Sequence, residues 1–142
     1  MKVQFTVHGE PHGKGRPRFA KRGDKIITHT PDDTVVYENL IKVQYQKKYG
    51  SHRFEDNAQI DLRIIAYYSI PESASKKKKK AMEIGDIRPI KKPDADNVLK
   101  IVADSLNQIA YRDDTQVVDS QVRKFYSYQP RLEVSIQNVE RG

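Results

Sequence analysis

The stretch AQIDLRIIAYYSI, residues 58–70, first alternates and then stops alternating. Ile60, Leu62 and Ile64 are separated by Asp61 and Arg63, after which the chain turns almost continuously apolar. Alternation marks a strand with one buried face, and an unbroken apolar run marks a strand covered on both faces. This segment is therefore expected at the centre of a sheet, with the rest of the chain arranged around it.

Upstream, Val3, Phe5 and Val7 alternate with polar neighbours, as in a half-buried strand. The following GEPHGKGRPRFAKRGDK, residues 9–25, is rich in glycine, proline and cations and is not expected to stay regular for long. KIITHT, residues 25–30, reads as a short strand, and TPDDT, residues 30–34, as a helix start. Thr30 suits the cap, Pro31 the first turn, and Asp32 and Asp33 the positive end of the helix dipole. That helix should run to about Tyr49, with Gly50 as its stop.

Downstream, SASKKKKKAMEIG at 73–85 carries five consecutive lysines and has weak helical potential. With RPIKKP at 88–93 it reads as a basic, flexible loop over 73–92. A second helix is expected over roughly 95–110, followed by a turn at YRDDTQ. QVVDSQVRKFYSY and RLEVSIQNV then read as two strands joined at QPR in a hairpin. The order β-β-α-β-(basic loop)-α-β-β predicts an α+β fold: one domain over 1–142, a mixed sheet with two main helices packed against it. No repeat and no domain boundary interrupts it.

At 142 residues the chain is long enough to bury its own core. It has no cysteine, which excludes disulfides and thiolate metal sites. The opening MKVQFTVHGEPHG is not signal-like and no run approaches membrane-spanning length, so a cytoplasmic protein without membrane contact is expected. A formal net charge of +7 suits a polyanion, most often nucleic acid. Charge alone does not separate a nuclease from a passive binder. The four histidines, at 8, 12, 29 and 52, are scattered and read as structural or surface residues. The tyrosines read as core or interface, and spacing does not decide whether Tyr111 or Tyr126 approaches a site.

Chemistry concentrates in KPDADNVLKIVADSL, residues 92–106. At about 100° per residue, Val98, Leu99, Ile101, Val102, Ala103, Leu106, Ile109 and Ala110 share one broad arc. Asp96, Lys100, Asp104 and Asn107 share the opposite one, with Asp94 just ahead of the helix. Two readings stand. In the first, Asp94 is an N-cap, Asp96 a first-turn acid, and Asp96–Lys100–Asp104 a run of i,i+4 ion pairs. In the second, the acids hold a hard cation, joined by Asp114 if the chain doubles back after Tyr111; Mg²⁺ needs only a few carboxylates beside waters and substrate phosphate.

KKPDADNVLKIVADSLNQIAYRDDTQVVD, residues 91–119, resembles the core of the RusA-like Holliday junction resolvases, metal-dependent endodeoxyribonucleases common in prophages. GKGRPRF, THTPDDTVVYE, the lysine-rich stretch after PESAS and the terminal VRKFYSY extend the resemblance over nearly the whole chain. Asp-x-Asp-Asn-x-x-Lys followed by Asp-Asp-x-Gln is its most specific part. The resemblance implies metal-binding and catalytic roles for Asp94, Asp96 and Asp114, an essential lysine at Lys100, and Asp113 as a reserve ligand. Asp104 matches a family position too, although a helix role serves it equally well. The resemblance further implies a homodimer that binds four-way DNA junctions and cuts them symmetrically with Mg²⁺ or Mn²⁺, with no small-molecule cofactor.

Phosphodiester hydrolysis needs an activated water, a neutralised non-bridging oxygen and a stabilised leaving alkoxide. The acids would supply the metal, and Lys100 would stabilise charge on the phosphate or orient the water. The rival PD-(D/E)xK signature wants an acid two residues before its lysine, and position 98 is Val. Lys14, Arg16 and Arg18 in GKGRPRF, Lys76, Lys77, Lys78, Lys79 and Lys80, and Lys91 and Lys92 are the candidate DNA-binding residues; each is otherwise a solvated cation. Two rival functions remain: a catalytically silent branched-DNA-binding module, and a nuclease of the same chemistry that prefers flaps or single strands.

Overall fold

The computed structural model describes the backbone at 1–15, 18–22, 25–29 and 32–139, and the side chains at 1–15 and 32–139. In chain order it forms β1 (Lys2–His8), β2 (Arg18–Arg22), β3 (Lys25–His29) and α1 (Asp32–Tyr49). These are followed by β4 (Ile60–Ser69), α2 (Lys76–Glu83), α3 (Ala95–Ser105), a 3₁₀ turn (Asp114–Gln116), β5 (Val117–Ser127) and β6 (Arg131–Asn138). The fold is α+β, a four-stranded mixed sheet in the order β1-β6-β4-β5 with a separate β2-β3 ribbon.

β4 lies inside the sheet, as its sequence requires: it pairs antiparallel with β6 and parallel with β5. The expected hairpin of the last two strands does not form. They flank β4 on opposite sides, and the link at 128–130 passes across its end, where the amide of Ile70 donates to the Ser127 carbonyl at 3.3 Å. The reason lies in their patterns. β6 buries Leu132, Val134 and Ile136 and takes β1 as a second neighbour, setting those residues opposite Val7, Phe5 and Val3. β5 exposes Val118, Asp119, Ser120, Gln121 and Arg123, and so suits an edge.

α1 and α3 cover one face of this sheet. α1 contributes Tyr37, Ile41 and Tyr45, and α3 contributes Val98, Ile101 and Val102, against Phe5, Leu62, Ile64, Ala66, Leu132 and Val134. Asp32 and Asp33 occupy the first turn of α1, and Gly50 ends it with φ +61°. α3 is shorter than its apolar pattern suggests. It stops at Ser105 with Leu106 as C-cap, and Ile109 and Ala110 pack onto the core from the turn beyond. Among the described residues, no helix is long and apolar enough to cross a membrane.

Within 9–25 regular structure is brief: Arg18–Arg22 pairs with Lys25–His29 as a short ribbon. One further expectation is corrected. The stretch 73–92 is not a loop throughout, because it holds α2. Ser75 caps α2 by accepting from the Lys78 amide, and Gly85, at φ +87°, follows its end. Consecutive lysines fan out by about 100° each around a helix, so four of the five reach water and Lys79 alone is half-buried. The segment beyond is tied to β5. The Arg88 guanidinium lies 4.2 Å from the Phe125 ring centre, and its Nε donates to the Lys124 carbonyl at 2.9 Å.

Candidate active site

α3 is entered from the segment tied to β5 and leaves through a reversal, and the site lies between them. At its start Asp94 is the N-cap, its carboxylate accepting from the Asn97 amide at 3.3 Å. After Leu106 the chain turns back through Gln108, whose φ is +66°, and the Gln108 amide donates to the Tyr111 carbonyl at 2.8 Å. Asn107 then accepts from the Asp114 amide at 2.8 Å, which returns Asp114 to the side of α3.

Asp96, Lys100, Asp104 and Asp114 line one shallow depression, floored by Leu99, Ala103 and Val117 and edged by Ser120. Asp104 and Asp114 lie within hydrogen-bonding reach of each other. Burial, followed by the Asp104 carboxyl and then the charge of Asp113, raises the Asp114 carboxyl above its ordinary pKa. Beneath them the buried Tyr111 hydroxyl donates to the Ala103 carbonyl at 2.7 Å, and burial pushes its pKa up. Lys100 is exposed and, among the described residues, has no carboxylate within ion-pair distance. The expected Asp96–Lys100–Asp104 ion pairs are therefore not made.

The expected ligands divide. Asp96 and Asp114 share the depression, joined by Asp104. Asp94 lies two residues earlier, at the N-cap, where its charge acts on Tyr68 and Lys124. Asp113 is occupied elsewhere: its carboxylate accepts from the Thr115 hydroxyl at 2.5 Å and caps the 3₁₀ turn, and these bonds lower its pKa. Eight residues of helix separate Asp96 from Asp104, about 12 Å along the axis. This explains why, among the described residues, no three acids or histidines converge tightly enough to enclose an ion. The donor set nevertheless fits Mg²⁺, which often takes only one or two carboxylates and completes its sphere with water and phosphate. Two carboxyls in mutual hydrogen-bonding reach need a proton or a cation between them, and Asp104 with Asp114 forms such a pair.

A family model described as endodeoxyribonuclease RusA matches residues 8–137. The chain belongs to the RusA endodeoxyribonuclease family. A protein of Bacillus subtilis (strain 168), described as uncharacterized protein YqaN, is 41% identical over 141 residues, covering 96% of each chain. The RusA match runs from the end of β1 into β6 and so includes every residue of the depression.

Within this RusA-family chain the basic candidates take different positions. Lys76, Lys77, Lys78 and Lys80 project from α2, and Lys91 and Lys92 are exposed just ahead of the acids. Lys91 reaches over the Tyr126 ring at 5.8 Å, and its carbonyl accepts from Lys124 Nζ at 2.7 Å. Lys14 turns inward to Glu38 and Asp104. Arg16 and the side chain of Arg18 lie outside the described residues.

Sequence reasoning assigned no role to Gln116, although it stands in the Asp-Asp-x-Gln motif. Its Oε1 accepts from the amides of Arg112 and Asp113, and its Nε2 donates to the carbonyls of Glu55 and Ala58. The acidic turn is thereby fastened to the loop before β4. Lys124 was also passed over. Half-buried on β5, it lies over the Tyr68 ring at 5.0 Å, and burial lowers its pKa while Asp94 opposes the shift. The Tyr68 hydroxyl donates to the Pro93 carbonyl, so β4 and β5 together fix the approach to Asp94.

Proposed function

We propose that this protein resolves four-way DNA junctions by paired, symmetric phosphodiester hydrolysis, as a homodimer that uses Mg²⁺ or Mn²⁺. The observation that carries the reading is the Asp104–Asp114 pair, in which the Asp114 carboxyl is raised in pKa, set in a depression with Asp96 and with a Lys100 that has no ion-pair partner among the described residues. Such a pair draws a cation, and the exposed ammonium of Lys100 draws the anion that comes with it. RusA family membership supplies the DNA backbone as the anion and hydrolysis as the reaction.

Asp114 and Asp104 would hold the metal, with Asp96 beside them in the depression and Asp94 fixing the start of the helix that bears Asp96 and Asp104. A bound divalent ion supplies Lewis-acid stabilisation of the phosphate and a water of lowered pKa. Lys100 neutralises charge that develops on the phosphate oxygens. Asn107 and Gln116 position Asp114 through its backbone. The lysines of α2, with Lys91 and Lys92, supply phosphate contacts that orient the duplex arms. A dimer suits the task because two-fold symmetry presents two equal sites to two strands of one junction.

The test is cleavage of a synthetic four-way junction with Mg²⁺, beside linear duplex, flap and single-stranded substrates and an Asp114→Asn protein. Paired nicks confined to the junction and lost in the variant are expected. Junction binding without cleavage in either Mg²⁺ or Mn²⁺ would leave a silent binding module, and cleavage centred on flaps would transfer the same chemistry to another branched substrate.

A further inference from the structure

The strap Gly9–Gly15 is fastened at both ends. Gly9 donates to the Pro130 carbonyl at 3.0 Å, Lys14 to the Asn97 carbonyl at 3.1 Å, and Gly15 to the Thr34 hydroxyl at 3.1 Å. Gly13 lies so close to the start of α3 that a Cβ there would stand 2.8 Å from Cβ of Asn97 and 3.0 Å from Cβ of Pro93. With its backbone held in this way, the Lys14 side chain runs into the seam between α1 and α3. Its Nζ lies 3.1 Å from Glu38 Oε2 and 3.4 Å from Asp104 Oδ2. The groups are largely buried, with 24% of the Lys14 side chain, 17% of Glu38 and 27% of Asp104 exposed.

We propose that Lys14 is the resident counter-ion of the acidic depression, neutralising Asp104 when no divalent ion is bound and competing with Mg²⁺ for that carboxylate. The proposal rests on the metal-dependent reading above. Asp104 faces two partners at once, the Lys14 ammonium on one side and Asp114 on the other. An ammonium already in place reduces the negative charge that an incoming ion meets. The DNA-free protein then takes up Mg²⁺ weakly, and full loading waits for the substrate phosphate to add its own oxygens and charge. Glu38 sets the strength of this competition, because it shares the same ammonium from α1.

The experiment is calorimetric titration of Mg²⁺ into the DNA-free full chain, wild type, Lys14→Met, Lys14→Arg and Glu38→Gln, with Tm followed over the same concentrations. Removing one unit charge at this range should tighten Mg²⁺ binding in Lys14→Met by about three- to tenfold. Lys14→Arg should keep the wild-type affinity, and Glu38→Gln should weaken it, because the ammonium is then left to Asp104. The Tm deficit of Lys14→Met should shrink as Mg²⁺ rises, since the ion replaces the lost cation. Wild-type or weaker affinity in a folded Lys14→Met protein overturns the proposal. If that variant does not fold, unchanged affinity in Glu38→Gln overturns it equally. Absence of Mg²⁺ uptake by every protein of the set, Lys14→Met included, removes the metal-dependent reading itself, whereas uptake that neither substitution alters removes the role of Lys14 alone.

Discussion

The carboxyl of Asp114 faces that of Asp104 across the reversal that follows α3, although ten positions separate them in the chain. Neither acid belongs to the Asp-x-Asp pair that first draws attention. The pairing depends on Asn107, which holds the Asp114 amide at 2.8 Å, and on the left-handed backbone of Gln108.

Asp114→Asn should abolish cleavage, by about a hundredfold or more, while raising stability at neutral pH. The sign follows from the raised carboxyl pKa. The folded state holds the proton more tightly than the unfolded chain, so Asp114 weakens the fold progressively as pH rises through its folded value. The gain from asparagine should therefore be full above that value and fade as pH falls toward the ordinary 3.8. Denaturation of both proteins across the acid range checks this. A gain that persists unchanged at the acid end would contradict the raised pKa of Asp114.

Lys100→Ala separates function from structure. The side chain is exposed and, among the described residues, has no ion-pair partner, so its removal should change stability by no more than about 0.5 kcal/mol. Junction cleavage should fall by about a hundredfold, with the loss mainly in kcat, because the ammonium meets charge that develops in the transition state. A raised KM with kcat unchanged would reduce Lys100 to a binding contact.

The sequence made some of this plain and hid the rest for physical reasons. Local periodicity located β4 at the sheet centre and α3 as an amphipathic helix, because those patterns record burial directly. The N-cap role of Asp94 was equally legible, since a cap is made within four residues. The β5–β6 hairpin was misread because a three-residue link looks the same whether the strands pair or straddle a third. The Asp104–Asp114 pair and the inward turn of Lys14 depend on backbone reversal and on the close approach of Gly13 to Asn97, and no local spacing records either. Asp113 and Asp114 are adjacent in the chain, yet one caps a turn and the other enters the depression.

Gln116→Ala should loosen the acidic turn. It leaves the amides of Arg112 and Asp113 and the carbonyl of Ala58 without their partner, and the Glu55 carbonyl with the Ala58 amide alone. A destabilisation of about 1–3 kcal/mol is expected in denaturant unfolding. Activity should fall even where the variant remains fully folded, because Asp114 sits on the turn that is released. Gln116→Glu should not rescue it, since a carboxylate restores the acceptor and not the amide donor.

Gly13→Ala tests the strap without touching a charge. An added methyl would meet Asn97 and Pro93 at 2.8 and 3.0 Å, so the strap must lift or α3 must shift. Overpacking of this kind costs about 1–3 kcal/mol. Gly9→Ala, at φ +108° with open space around it, should strain the backbone without moving Lys14 from Asp104. Cleavage impaired by the first substitution and spared by the second would locate the effect at α3, whereas equal impairment would assign it to general loosening.

The lysines of α2 should act on affinity and leave the chemistry alone. Replacing Lys76, Lys77 and Lys78 by glutamine removes three exposed cations from a helix whose buried contacts they do not supply. If each meets a phosphate, the slope of log affinity against log salt should flatten by about 0.9 per contact for duplex arms. Junction binding should weaken most at low salt, and the single-turnover rate at saturating protein should stay near wild type. An unchanged salt slope would make these lysines solvated cations of a surface helix, and leave Lys91 and Lys92, beside the acids, as the DNA-facing charges to examine.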